Sequence, residues 1–252
     1  DIKLKGEYTI IHCAFNGSKP NSPDEINKYL QDNLFLTRRL LEIPHEKFIL
    51  ISSIDVYPKN NLYHSEDEYI QIDSVQGLYP LIKYLSESMV KALSKRFLIL
   101  RCSAFLGKDA RRNSLIRIFQ EENPILSLSE LSEFNYITHK DIGNIIEDSH
   151  NIEGIYNIAS NSNILLKDVA YFAGKRVSFG KFEYITGKIN TRKAIEKFPF
   201  LNKTSIDSIG EFLGRKVFYD ELAYKTWKKT KLKKYQGLPV KNAIIPLTIT
   251  KD

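Results

Sequence analysis

Tyr79 and Lys83 are the residues whose spacing most directly suggests chemistry, because they lie four positions apart in a segment with a helical pattern. On a helix, residues four apart project from the same face. A tyrosine hydroxyl has a pKa of about 10, and a neighbouring ammonium group is expected to lower it by favouring the phenolate. Such a pair transfers a proton to or from a substrate oxygen while hydride moves at the adjacent carbon.

The spacing alone carries little weight, because the chain contains five Tyr-x-x-x-Lys pairs. The other four are Tyr136/Lys140, Tyr171/Lys175, Tyr184/Lys188 and Tyr224/Lys228. What distinguishes the first pair is Ser53, which follows the apolar run 48–52 that we predict to be a buried strand. Ligands bind beyond the carboxyl ends of strands in an open parallel sheet. Ser53 is therefore expected to hydrogen-bond the substrate oxygen that Tyr79 protonates.

The elements that must position these residues alternate between strand and helix, which predicts βαβ units and a mostly parallel sheet. The continuous apolar run 8–14 reads as a buried strand. A helix is expected from Ser22 to about Leu41, with a capping box closed by Glu25. A second helix, 79–96, carries the apolar stripe Leu81, Leu85, Met89 and Leu93. The remaining predicted strands are 97–101, 134–138 and 154–158, and the remaining helices are 141–147, 163–174, 191–197 and 205–213.

The order of several short motifs resembles the extended short-chain dehydrogenase/reductase family, which includes nucleotide-sugar epimerases, dehydratases and reductases. Residues 52–57 read Ser-Ser-x-x-Val-Tyr, and 26 positions separate Ser53 from Tyr79, which opens the Tyr-Pro-Leu-Ile-Lys segment. Further segments fall in the family's order: 11–14, 33–37, 101–107, 136–141 and 154–158. The resemblance covers about residues 1–213.

The resemblance implies an α/β fold, a Rossmann-like doubly wound, mostly parallel sheet with a small C-terminal substrate-binding α/β portion. Residues 1–110 would form a partial dinucleotide-binding domain that holds the catalytic residues. Residues 111–213 would form a mixed α/β substrate-binding portion interleaved with it, and residues 214–252 a basic C-terminal extension.

The resemblance also assigns roles to individual residues. Tyr79 would be the acid/base, Ser53 its hydrogen-bonding partner, and Lys83 the residue that holds the nicotinamide ribose. Asp55 stands where some relatives place a second acid or base, although an exposed loop aspartate is the plainer interpretation. The expected contacts to NAD or NADP are Cys13, Ala14, Phe15, Asn33, Ser52, Tyr79, Lys83 and Cys102.

Departures from the family pattern bear on the substrate. Sugar 4,6-dehydratases in the family carry Thr-Asp-Glu before Val-Tyr, whereas this chain has Ile54 in place of the Asp, so dehydration is not expected. Phe134 stands where many epimerases have a diphosphate-binding Arg. The expected substrate contacts are Ser103, Ala104, Lys108, Arg111 and Arg112. The three cations among them would bind a diphosphate or simply be surface charges.

The family's Gly-x-x-Gly-x-x-Gly turn has no counterpart here, because Gly6 and Gly17 are isolated. The first residue is Asp and the only methionine is Met89. Two explanations are open: the sequence begins inside a longer protein, which we favour, or the protein is a degenerate member that does not bind a dinucleotide.

We therefore expect an NAD(P)-dependent reductase or epimerase acting on a sugar, with a nucleotide-sugar as the substrate and a homodimer as the assembly. The dimer would form through helices 24–41 and 79–96, which pack as a four-helix bundle in relatives. The alternative is a catalytically degenerate or nucleic-acid-binding member, suggested by the net charge of +7 and the basic run 224–234. A solvated tail is the preferred interpretation of that run, so nucleic acid is not expected as a partner.

The remaining composition excludes other classes of protein. The five histidines and two cysteines show no metal-ligand spacing, so no metal is expected. No apolar run approaches the roughly 20 residues needed to span a membrane. Cys13 and Cys102 both lie in apolar runs and are expected to be buried thiols, which suits a reducing cytoplasm. His12 is expected to be a core histidine.

Overall fold

The computed structural model describes residues 8–60 and 62–214, and within them helices and strands alternate as predicted. The strands are β1 (Thr9–His12), β2 (Lys47–Ser53), β3 (Tyr63–His64), β4 (Phe97–Cys102), β5 (Ala104–Leu106), β6 (Glu133–Phe134), β7 (Tyr136–Thr138), β8 (Gly154–Ile158), β9 (Ile164–Leu165) and β10 (Lys188–Ile189). The α-helices are α1 (Pro23–Leu30), α2 (Leu36–Leu41), α3 (Leu78–Leu93), α4 (Ser114–Gln120), α5 (His139–Glu147), α6 (Leu166–Phe172), α7 (Arg192–Lys197) and α8 (Ser205–Phe212).

The central sheet has the strand order β1-β2-β4-β8, and all of its neighbouring strands run parallel. This arrangement confirms the predicted Rossmann-like α/β class. Ser53 at the end of β2 pairs with Cys102 at the end of β4, and Cys102 in turn pairs with Ile158 of β8. The carboxyl ends of three strands therefore meet at one edge, which is where a parallel sheet binds its ligands.

Strand β1 differs from the expectation of a buried strand. Its residues are exposed or half-buried except for His12, and Ile11 keeps 45% of its surface exposed. Among the described residues β1 pairs only with β2, so only one of its edges is covered. A continuous apolar run therefore did not distinguish a central strand from a partly exposed one. Cys13, which follows β1, is exposed rather than buried.

The first predicted helix is continuous but not uniform. A π-helical segment, Gln31–Phe35, lies between α1 and α2. Ser22 caps α1, and its side chain accepts a hydrogen bond from the backbone of Glu25. The Glu25 carboxylate accepts from the backbone of Asn21, not of Ser22, so the predicted capping box is shifted by one residue.

Helix α3 begins after Gly77, whose φ of +101° is a conformation that other residues rarely adopt. Its buried residues are Pro80, Ile82, Lys83, Ser86, Glu87 and Val90. The predicted apolar stripe lies beside this face, since Leu81, Leu85 and Met89 are half-buried and Leu93 is 59% exposed. The helix therefore directs one positively charged side chain, Lys83, and one negatively charged side chain, Glu87, towards the sheet.

The second half of the described chain has an apolar cluster of its own, which includes Leu115, Ile118 and Val169. The predicted strand 134–138 is split into β6 and β7, which pair with different partners. Strand β8 has the predicted limits, and the helices predicted at 141–147, 191–197 and 205–213 correspond closely to α5, α7 and α8. No helix within the described residues has the length and apolar character needed to cross a membrane.

Candidate active site

Ser53 ends strand β2 at the carboxyl edge of the sheet and is 5% exposed. Its Oγ accepts a hydrogen bond of 3.1 Å from the backbone N–H of Asp55 and so caps the short 3₁₀ helix Ile54–Val56. The same side chain interacts with the hydroxyl of Tyr79 and acts to lower the pKa of that hydroxyl. The structure thus brings together the serine and the tyrosine that the sequence predicted to act on one oxygen.

Tyr79 lies in the first turn of α3 and is 37% exposed. Loss of water around the hydroxyl raises its pKa to about 12, and the interaction with Ser53 offsets this only in part. The negative charge of Asp55 raises the pKa further. The expected lowering of this pKa is therefore wrong for the protein without bound ligand, because desolvation outweighs the favourable interactions. At neutral pH the Tyr79 hydroxyl is a proton donor.

Lys83 is 7% exposed, and its Nζ donates a hydrogen bond of 2.8 Å to the carbonyl of Ile51. Nζ also lies 4.2 Å from the centre of the Phe15 ring, a cation–π contact. Burial lowers the pKa of Lys83 to about 8, although the neighbouring thiol of Cys102 and the carboxylate of Glu87 raise it. Lys83 therefore still carries its charge at neutral pH, in a site where that charge is costly.

Asp55 extends the site towards the second half of the chain. Its Oδ1 accepts a hydrogen bond of 2.6 Å from the Tyr184 hydroxyl and forms an ion pair with Lys59. Asp55 also interacts electrostatically with Tyr79. The aspartate is therefore fixed beside the predicted acid/base and is not simply a solvated loop residue.

Ser52 and Cys102, both predicted to contact the cofactor, are engaged elsewhere. Ser52 Oγ donates to Glu87 at 2.5 Å, and Glu87 forms a fully buried ion pair with Arg101. The Cys102 thiol is buried and donates to the carbonyl of Leu100. Burial raises the pKa of the Cys102 thiol well above its ordinary value. A direct contact of either side chain with a cofactor stays a prediction.

The loop after β1 approaches the site through Phe15, whose ring packs edge-to-face on Tyr79 with 5.1 Å between the ring centres. Asn33, buried at 1% exposure, uses both ends of its amide on the backbone of Asn16. It therefore fixes the loop that carries Cys13, Ala14 and Phe15. Contact of these residues with a cofactor stays a prediction.

The predicted substrate residues do not converge on one point. Ser103 Oγ is buried without a hydrogen-bond partner among the described residues, and Ala104 begins β5. Arg111 donates to the carbonyl of Gly17 at 2.5 Å, and Arg112 pairs with Glu121 at the surface. Lys108 lines a separate cavity of about 700 Å³ between α5 and α8. Their binding to substrate stays a prediction.

Three of the other four Tyr-x-x-x-Lys pairs lie within the described residues and have different surroundings. Tyr136 is completely buried while Lys140 is exposed. Lys175 donates to the carbonyl of Glu121, and Lys188 lies over the ring of Tyr63. The Tyr224/Lys228 pair and the basic run 224–234 lie outside the described residues.

The residues present fit a nicotinamide nucleotide beside Lys83 and Tyr79. An ammonium group has three N–H donors, and among the described residues only the carbonyl of Ile51 accepts one from Lys83. Two N–H donors of Lys83 therefore remain for the hydroxyl groups of a ribose. The ribose would have to fit beside the Phe15 ring, which already contacts the ammonium group. The bound nicotinamide would supply a hydride acceptor or donor.

Tyr184 and Lys59 were not identified from the sequence as site residues. Lys59 lies four positions after Asp55, a local spacing that gives a weak signal for an ion pair. Tyr184 comes 129 positions later, and its contact with Asp55 depends on the packing of the two halves of the chain. The sequence marked Tyr184 only as the first residue of the Tyr184/Lys188 pair. In the structure Tyr184 contacts Asp55, whereas Lys188 lies over the ring of Tyr63.

Comparisons with known proteins agree with this fold. The model of the NAD dependent epimerase/dehydratase family matches residues 6–159. A search of curated proteins found no match.

Among solved structures, MoeE5 in complex with UDP-glucuronic acid and NAD has 19% sequence identity and a TM-score of 0.65, covering 79% of this chain and 75% of that one. The UDP-glucuronic acid 4-epimerase from Bacillus cereus has 20% identity and a TM-score of 0.65, covering 81% and 74%. The NDP-hexosamine 5,6-dehydratase TunA has 17% identity and a TM-score of 0.64, covering 75% and 69%.

Proposed function

The chain belongs to the NAD dependent epimerase/dehydratase family, and we propose that it is an NAD(P)-dependent reductase or epimerase acting on a nucleotide-sugar. The observation that supports this most is the position of the Ser53 and Tyr79 side chains, which interact with each other at the carboxyl edge of the sheet. Solved structures with the same fold contain NAD together with UDP-glucuronic acid or UDP-glucose.

In the proposed reaction, Ser53 holds the reacting sugar oxygen and Tyr79 transfers the proton at that oxygen. With a pKa near 12, the Tyr79 hydroxyl is a donor in the free protein, so it suits protonation of a forming alkoxide. For the reverse direction it must lose its proton, which requires added positive potential nearby. Lys83, charged below pH 8, is the described cation positioned to contribute that potential.

The same arrangement leaves Lys83 as the residue that would hold the nicotinamide ribose. We further propose a homodimer through α3 and the helical segment 23–41, where Ile26, Phe35 and Leu93 are exposed. The nucleic-acid-binding alternative gains no support from the described residues, since its proposed basic segment lies outside them.

The test is hydride transfer from UDP-glucuronic acid or UDP-glucose to NAD⁺ or NADP⁺, followed as absorbance of the reduced cofactor. Tyr79→Phe is expected to lower turnover by about 100-fold or more, because it removes the proton-transferring group. Binding of the cofactor, measured by calorimetry, is expected to stay unchanged. Tyr69→Phe is the matched control, since Tyr69 is 84% exposed. Undiminished turnover in Tyr79→Phe would rule out the proposed role.

A further inference from the structure

The ring of Phe15 lies against both members of the acid/base pair, Tyr79 and Lys83. Lys83 Nζ is 4.2 Å from the centre of the ring, and the Tyr79 ring packs edge-to-face with it at 5.1 Å between centres. Phe15 was expected only as a contact to the cofactor. Its contact with the pair itself is a separate property of the site.

The contact between Lys83 and Phe15 is the shortest of the lysine–ring contacts among the described residues. The distance from Nζ to the ring centre is 4.2 Å here and 4.8 to 5.9 Å in the others. Lys83 is also buried, and a cation–π contact is stronger where the cation is withdrawn from water. The Phe15 ring therefore offsets part of the cost of burying the Lys83 charge.

Lys83 needs this support because little else favours its charged form. Within the part of the chain that the structure describes, its ammonium donates one hydrogen bond, to the carbonyl of Ile51. The Glu87 carboxylate acts to raise the pKa of Lys83, but it is already paired with Arg101. Burial outweighs these effects and lowers the pKa to about 8. The ring thus acts on a group that loses its charge only slightly above neutral pH.

The other titratable groups that face Lys83 are His12 of β1, Cys13 in the loop after β1, and Cys102 of β4. Burial lowers the pKa of His12 to about 4 and raises that of the Cys102 thiol well above its ordinary value. Both groups are therefore neutral at neutral pH. They do not replace the ring as a source of stabilisation for the ammonium.

Phe15 is itself held from two sides. Its ring packs edge-to-face with the buried ring of Tyr29, with 5.8 Å between ring centres. The next residue, Asn16, is fixed by the Asn33 amide, which accepts from its backbone N–H at 2.7 Å and donates to its carbonyl at 3.1 Å. A ring fixed in this way limits the positions that are open to both members of the acid/base pair.

We propose that Phe15 is a positioning residue for the acid/base pair, and that its π face holds the Lys83 ammonium in the charged form beside Tyr79. The inference rests on the proposed function, because Lys83 supplies the positive potential that lets Tyr79 lose its proton when a sugar alcohol is oxidised. Without the π face, Lys83 is neutral over a wider range of pH, and Tyr79 keeps its proton. The proton still passes between the sugar oxygen and Tyr79.

The first experiment titrates Lys83 by NMR in the full chain with ¹³C-labelled lysine and no ligand added. The Lys83 resonance is identified by its absence in Lys83→Met. Phe15→Leu removes the π face but keeps most of the apolar volume, and Phe15→Tyr keeps the face. We expect Phe15→Leu to lower the pKa of Lys83 by roughly one pH unit, because the ammonium loses a desolvated cation–π contact. Phe15→Tyr should stay close to wild type.

Two controls separate this contact from general packing. Lys47 is 2% exposed and has no ring over it among the described residues, so its titration should be the same in all the variants. Phe182→Leu changes a phenylalanine that is 74% exposed and should leave Lys83 unaffected. A packing defect that admits water would raise the pKa of Lys83 towards 10.5, which is opposite to the expected direction.

The second experiment measures kcat/KM for reduction of NAD⁺ or NADP⁺ by UDP-glucuronic acid or UDP-glucose as a function of pH. This ratio reports the groups of the free enzyme. We expect it to fall as pH rises through the pKa of Lys83, and to fall about one pH unit earlier in Phe15→Leu. Above pH 8 the loss relative to wild type should therefore approach about ten-fold. Phe15→Tyr should restore kcat/KM to within a few-fold of wild type.

An unchanged or raised pKa of Lys83 in Phe15→Leu would overturn the proposal, and so would equal losses of kcat/KM in Phe15→Leu and Phe15→Tyr. The titration needs no substrate and so separates the two proposals. A lowered pKa without any hydride transfer would overturn the proposed function and leave the contact with Lys83 standing. Tyr79-dependent reduction of the cofactor with an unchanged Lys83 titration would overturn this inference alone.

Discussion

Strand β2 and helix α3 contribute to two neighbouring polar regions that combine a serine, a tyrosine, a carboxylate and a cation. The buried network consists of Ser52, Tyr57, Glu87 and Arg101. The candidate acid–base site, called the cleft below, consists of Ser53, Asp55, Tyr79 and Lys83. Ser52 and Ser53 are consecutive on β2 but belong to different regions. The same holds for Lys83 and Glu87, which lie one helical turn apart on α3.

The two regions differ in how fully their polar atoms are bonded. Arg101 binds both oxygens of Glu87 and also donates to the Tyr57 hydroxyl at 2.8 Å. That hydroxyl lies 2.8 Å from the Asn157 side chain. In the cleft, the part of the chain that the structure describes provides no hydrogen-bond partner for Asp55 Oδ2 and only one, the Ile51 carbonyl, for Lys83. The comparison indicates that a completed network stabilises the fold, whereas an incomplete one is available to a ligand.

Breaking the ion pair of the buried network should have the largest effect on stability. Arg101→Met leaves the carboxylate of Glu87 charged, fully buried and unpaired. We expect the free energy of unfolding to fall by about 3–5 kcal/mol. Urea denaturation measures this change, and Arg192→Met, which breaks an exposed ion pair, is the control. An equal loss in both variants would show that the network is not a special source of stability.

The opposite effect is expected at Lys83 in the cleft, whose buried charge lowers the free energy of unfolding. Its pKa is about 8 in the folded protein against 10.5 for the free side chain, so between these pH values the unfolded chain binds the extra proton. Stability therefore rises with pH across this window, and the cost of the buried charge is fully present below pH 8.

Lys83→Met should remove that pH dependence. Its stability relative to wild type is expected to decrease by roughly 3 kcal/mol from pH 7 to pH 10.5. Denaturation of both proteins at the two pH values measures the change. A difference that is independent of pH would mean that Lys83 titrates in the folded protein as it does in water.

Sequence patterns located the strands and helices of the central sheet because periodicity and strand-end position are local properties. They also identified Ser53 and Tyr79 together, through the family motifs. They assigned Ser53 to the substrate oxygen and Ser52 to the cofactor, but they did not predict that Ser52 hydrogen-bonds Glu87. Packing between β2 and α3 determines that Ser52 lies against Glu87 and that Ser53 lies beside Tyr79.

The parts of the site that sequence did not provide depend on distant contacts. Tyr184 reaches Asp55 only through the packing of segment 132–134 against residue 184. The raised pKa of Tyr79 depends on desolvation, which no spacing rule measures. The exposure of Cys13 and Ile11 likewise depends on which strands cover β1.

The most direct test of the difference between the two regions removes one tyrosine hydroxyl from each. Tyr57 and Tyr79 both have a pKa raised to about 12, mainly by desolvation, yet only Tyr79 faces the cleft. Turnover per folded molecule and the free energy of unfolding are measured for Tyr57→Phe and Tyr79→Phe. We expect Tyr57→Phe to lose about 1–3 kcal/mol of stability and to keep its turnover within a few-fold. We expect Tyr79→Phe to keep its stability within about 1 kcal/mol and to lose about 100-fold or more of its turnover. The reverse pattern, or equal effects of the two variants, would contradict the account.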